Sequence, residues 1–113
     1  MVIIRDILRF EDLKQMAAQM FGDMVKAVVD VDRELMAVDA ELHADLEALL
    51  LDDGSERNSL WGINLYPELA EDQLIEFDSM INVRPSQGNR SRGIVDETIR
   101  SKVVGVVGRR LAR

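Results

Sequence analysis

The chain has 113 residues, 47% of them hydrophobic and 31% charged, with a net charge of -7 and no cysteine. These values describe one globular domain over residues 1–113 and exclude collagen-like and disordered chains. They also exclude a disulfide framework, a thiolate nucleophile and a Cys-based zinc site, and the acidic balance argues against a protein that coats nucleic acid or anionic membrane.

In chain order, Met1 to Asp6 lacks the basic start and long apolar stretch of a signal peptide. The longest apolar run, Ala48–Leu51, is far short of the ~20 residues that span a bilayer. A soluble cytoplasmic protein with no membrane partner is the expectation. Phe10, Leu13, Ala17 and Met20 recur at helical spacing, which predicts a helix from Phe10 to Phe21 ended by Gly22. Val25–Val31 and Leu35–Val38 read as strands of a hairpin, although no Gly or Asn occupies the turn between them.

Asp45–Leu51 is read as a strand because Asp52-Asp53-Gly54-Ser55 is a turn signal directly after it, although its Leu, Ala and Glu also favour helix. Leu60–Tyr66 is the next strand, ended by Pro67, with Trp61, Ile63 and Leu65 on one face. Ile75–Val83 alternates, placing Ile75, Phe77, Ile81 and Val83 on one face with Ser79 as the exception. Asp96 is a good N-cap for a last helix carrying Ile99, Val103, Val106 and Val107. Its valines and glycines leave a strand over Lys102–Val107 as the alternative. The expected fold is α+β: a four- or five-stranded antiparallel meander with an N-terminal and a C-terminal helix packed on one face.

Three segments resemble an uncharacterised prokaryotic family of unknown-function domains. They are Glu41-Leu42-His43-Ala44-Asp45, Leu60-Trp61-Gly62-Ile63-Asn64-Leu65-Tyr66-Pro67, and the long run from Ile75 through Asn82 and Arg84 to Ser91. The resemblance covers nearly the whole chain and implies a compact single domain, with no activity to carry over. Members of that family often carry Gly near the turn at Arg33–Glu34 and just before Glu41, where this chain has Glu34, Asp39 and Ala40.

The polar run 84–92 contains Arg84, Ser86, Gln87, Asn89, Arg90 and Arg92 with no acidic residue. Arginine forks match phosphate or carboxylate, and Ser, Gln and Asn orient a ligand. The run therefore reads as an anion-binding loop, set against a polar connection that satisfies its own hydrogen bonds. It is not a Walker loop, because no Gly-Lys-Ser/Thr follows. In an extended segment, Glu41, His43 and Asp45 share a face. That pattern suits a divalent metal, or His43 as a base oriented by Asp45, and equally a solvated acidic surface. A Ser79–His43–Asp45 triad lacks any nucleophile-elbow pattern. Trp61 and Tyr66 suit ligand stacking or core packing.

Three functions follow as expectations. The first is a small binding domain for an anionic, phosphate-bearing ligand on the 84–92 loop. The second is a hydrolase using His43 and Asp45. The third is a structural or interaction module whose acidic surface and basic C-terminal end join copies or a partner, with an uncovered sheet face or edge and the methionines as further routes to self-assembly. No cofactor is indicated. The charge is unevenly placed: residues 1–83 carry 19 acidic and 6 basic side chains, whereas residues 84–113 carry 2 and 8. The basic quarter either serves a ligand or is neutralised by the acidic body.

Overall fold

The β-branched runs become the centre of the sheet. The computed structural model describes residues 1–113. Strands β1 (Val2–Ile4), β3 (Val25–Asp30), β4 (Leu35–Val38), β5 (Leu60–Leu65) and β6 (Ile75–Glu76) form a five-stranded sheet in the order β1-β4-β3-β5-β6. Every pairing in it is antiparallel. The short β2 (Leu8–Arg9) and β7 (Leu111–Ala112) form a separate parallel pair that ties the two ends of the chain together. Strand order is not fully sequential, because β1 lies outside β4 rather than beside its neighbour in the chain.

Helices α1 (Phe10–Gln19) and α3 (Glu97–Arg110) cover one face. Leu13 and Ala17 of α1 and Val103, Val106 and Val107 of α3 join Val25, Ala27 and Val29 of β3 and Trp61, Ile63 and Leu65 of β5 in the larger core. This is the arrangement the sequence periodicity predicts. Gly22, at φ +95°, closes the end of α1 and its N–H donates to Ala17 O at 2.6 Å. Asp96 caps α3 through Oδ1, which accepts from Thr98 N and Ile99 N.

Two expected strands are corrected. Residues 45–51 are not extended: they lie in helix α2 (His43–Asp52), which covers the opposite face. Leu46 and Leu50, one helical turn apart, insert against Val28, Leu35, Ala37 and Leu60. The stretch contains no β-branched residue, so its intrinsic preference is for helix. Residues 75–83 also leave the sheet, after Glu76, and enter a 3-10 turn at Met80–Asn82. The alternation inverts at Asn82, which shares its expected face with the exposed Met80 but is 0% exposed.

The cause of that inversion is a close approach at Gly62. A Cβ on Gly62 would stand 2.6 Å from Ser79 Cβ and Oγ. Only glycine admits Ser79 there. Ser79 Oγ then accepts from Ile81 N at 3.3 Å and starts the turn.

The β3–β4 turn closes without Gly or Asn. Asp30 Oδ1 accepts from Asp32 N and Arg33 N, both at 2.9 Å, in an Asx-type turn. Glu34 (φ 57°) and Asp39 (φ 74°) occupy the left-handed region, where glycine carries no Cβ penalty. Glu34 is held by an ion pair with Arg109 and by Arg110 Nε donating to its carbonyl at 2.8 Å.

Both faces of the sheet are covered, so the uncovered-face argument for self-assembly does not apply. The free edges are the short β1 and β6. No helix is long and apolar enough to cross a membrane.

Candidate functional site

The 84–92 loop is held from within by Arg84 and Asn89, together with Asn82 just before it. Asn82 Nδ2 donates to Gly62 O and Arg92 O at 2.9 Å, and its Oδ1 accepts from Gly62 N at 2.8 Å. Asn89, 4% exposed, donates from Nδ2 to Asn82 O (2.7 Å), Ser91 O (3.1 Å) and Gly93 O (2.8 Å) and accepts from Val95 N at Oδ1 (2.8 Å). Two asparagines thus replace a strand ladder in holding this segment together.

Arg84 is equally committed. Its Nε donates to Ile81 O at 3.0 Å, Nη1 to Gln87 Oε1 at 3.1 Å, and Nη2 to Leu60 O. The guanidinium stacks on Trp61 at 4.6 Å, with Glu47 4.0 Å away. Burial pulls its pKa below the ordinary value, against the pull of Glu47. Gln87 Nε2 donates to Asn58 O at 3.2 Å, and the Gly88 N–H is spent on Pro85 O at 2.9 Å. Of the remaining loop candidates, Ser86 and Arg90 are exposed, and Arg92 Nε meets Asp78 Oδ1 at 2.6 Å.

The His43 segment is rearranged by the helix. His43 is the first residue of α2 and 8% exposed, whereas Glu41 and Asp45 are exposed. Residues two apart on a helix point about 200° apart, so His43 and Asp45 do not share a face, and no hydrogen bond joins them. Glu41, His43 and Asp45 do not converge on a metal position.

His43 Nε2–H instead donates to Ile63 O at 2.7 Å. That bond fixes the proton on Nε2 and leaves Nδ1 with a lone pair and no partner in the chain. Burial lowers the His43 pKa from 6.5, more strongly than the Ile63 bond raises it, and Lys26 and Arg92 push the same way against Asp78.

His43 faces a cleft of about 210 Å³ that sequence reasoning did not assemble. Lys26, His43, Ser79 and Arg92 supply its polar lining, with Leu42, Ala44, Met80 and Ile81 around them. The lining contains two cationic side chains and no carboxylate. Lys26 lies over the Phe21 ring at 5.4 Å and forms no ion pair. No side chain caps α2, because Leu42 stands at its N-cap position, so its first-turn N–H groups lack a side-chain acceptor. Leu42 and Met80 are exposed at the rim. The sequence signal that pointed here was the set of three family-like segments: residues 41–45, 60–67 and 75–91 meet at the His43–Ile63 bond and at the Ser79–Gly62 contact.

The fold and cleft define a small α+β domain whose antiparallel sheet is sandwiched between one helix and a helix pair, with a basic cleft at the start of the single helix. A family model described as a protein of unknown function (DUF5674) matches residues 2–110, and the chain belongs to that family. No curated protein and no solved structure matches it.

Proposed function

We propose that this chain is a binding domain for a compact oxyanion of the phosphate or sulfate type, held in the His43 cleft. The observation that carries the reading is the convergence of Lys26, Arg92, His43 and Ser79 on one concave site without a lining carboxylate. Lys26 and Arg92 supply charge, Arg92 through the guanidinium nitrogens not engaged by Asp78. The open N–H groups of α2 add donors and a favourable dipole end. The Ser79 hydroxyl supplies a further donor, since its recorded bond uses the oxygen as acceptor.

The loop contributes less than its composition promises. Arg92 is the one residue of the 84–92 candidates that lines the cleft, while Arg84, Gln87 and Asn89 are engaged within the chain. A small anion therefore shares Arg92 with Asp78 and has Lys26 to itself. The test is calorimetric titration of inorganic phosphate into wild type and Lys26→Ala. Saturable binding that weakens at least about tenfold in the variant is expected. Absence of binding by wild type overturns the reading.

A further inference from the structure

His43 is 8% exposed and spends its Nε2–H on Ile63 O. A carbonyl can only accept, so the neutral ring has no second tautomer available to it. Nδ1 is therefore a fixed acceptor, and it has no partner in the chain. Three buried polar atoms lack a partner and are closed to solvent: Asp30 Oδ2, Trp61 Nε1 and Asn64 Oδ1. His43 Nδ1 is not one of them, so it is open to whatever enters the cleft that His43 lines.

The cleft thus presents two kinds of group to one ligand. Lys26 and Arg92 ask for negative oxygens, and Nδ1 asks for a donor. The ring stays neutral near and above pH 7. Burial lowers its pKa from 6.5, with Lys26 and Arg92 acting in the same direction, against the Ile63 bond and Asp78. The volume of about 210 Å³ lies below the ~300–1,000 Å³ of sites for drug-sized ligands, which favours a compact ion.

Given that the cleft holds an oxyanion, as proposed above, we infer that it selects one carrying its own hydroxyl hydrogen: hydrogen phosphate rather than sulfate. The two ions share a tetrahedral shape and a double negative charge. Sulfate has acceptors only, so one of its oxygens sets a lone pair against the lone pair of Nδ1. Hydrogen phosphate turns its bare oxygens to Lys26 and Arg92 and donates its P–O–H to Nδ1. A site built to accept from a ligand hydroxyl rejects the analogue that lacks it.

The test is calorimetric titration of sodium phosphate and of sodium sulfate into the full chain at one ionic strength and about pH 8, where the ring is neutral. Phosphate is expected to bind at least about tenfold more tightly than sulfate. His43→Gln, its fold checked by circular dichroism, keeps an N–H for Ile63 O and removes the Nδ1 acceptor. In this variant the two affinities are expected to fall within about threefold of each other. Equal affinities in wild type overturn the selectivity and leave the oxyanion reading standing. A preference for phosphate retained in His43→Gln also overturns the assignment to Nδ1. Binding of neither ion by wild type overturns both.

Discussion

The 84–92 loop and the His43 cleft both draw on polar residues, and they use them in opposite ways. In the loop, Arg84, Gln87 and Asn89 spend their donors and acceptors on backbone and side-chain partners inside the chain. In the cleft, Lys26 and His43 Nδ1 keep theirs unspent. Polar density in a sequence marks both kinds of region alike. What separates them is where each hydrogen bond ends, and that depends on tertiary partners such as Leu60 O, Gly62 and Val95 N.

The largest effect should come from the loop's interior. Asn89→Ala removes one side chain that serves four backbone groups and is expected to cost about 3–5 kcal/mol in urea unfolding. A loss under about 1 kcal/mol would break the claim that the loop is stapled from within. Next, Gly62→Ala drives a Cβ into Ser79 and should cost about 2–3 kcal/mol, partly recovered by adding Ser79→Gly.

The comparison sharpens with a pair of arginines. Arg84→Met strands carbonyls now bonded by the guanidinium and should destabilise by about 2 kcal/mol while leaving phosphate affinity unchanged. Arg92→Ala breaks an exposed ion pair and should change stability by less than about 0.5 kcal/mol. Its phosphate affinity should fall at least about tenfold.

His43 gives a pH signature. Burial holds its folded pKa below the ordinary 6.5. Between those two values the unfolded chain binds more protons, so stability is fully present above 6.5 and falls as pH drops through that window. His43→Gln should flatten this slope in urea midpoints measured from about pH 5 to pH 8. Sulfate, whose charge is constant over that range, should bind wild type more tightly as pH falls, because protonated His43 presents a second N–H beside Lys26 and Arg92. A small effect of opposite sign is expected at Asp39, whose φ is 74°. Asp39→Gly should stabilise by about 0.5–1 kcal/mol, read as a rise in thermal midpoint.

The layers with strong local signals were legible. The stripe Phe10, Leu13 and Ala17, the β-branched run at Val25, and the Asp96 cap each agree with the final structure. Two misreadings came from weak or misleading local signals. Leu46 and Leu50 fit helix or strand until the sheet face they cover is known. The alternation of Ile75–Val83 is real in the sequence, but the approach of Ser79 to Gly62 ends the strand after Glu76 and turns Asn82 inward.

The site was half legible. His43 and Arg92 stood out as residue types. Lys26 sits inside a strand and Ser79 in an apparent alternation, and neither carries a local signal that it meets His43. The charge asymmetry resolves in part: of the eight basic side chains of residues 84–113, Arg84, Arg92 and Arg109 pair with Glu47, Asp78 and Glu34 of the acidic body.

The central claim is that the anion is held by the cations that converge in the cleft, and not by residues 85–90 of the loop, where Arg90 is exposed and stands alone. The direct measurement is a map of backbone amide NMR shifts during titration with inorganic phosphate. The account predicts saturable shifts at His43, Ala44 and Lys26, with residues 85–90 unmoved. Shifts centred on Ser86 to Arg90, with His43 and Ala44 silent, would contradict it.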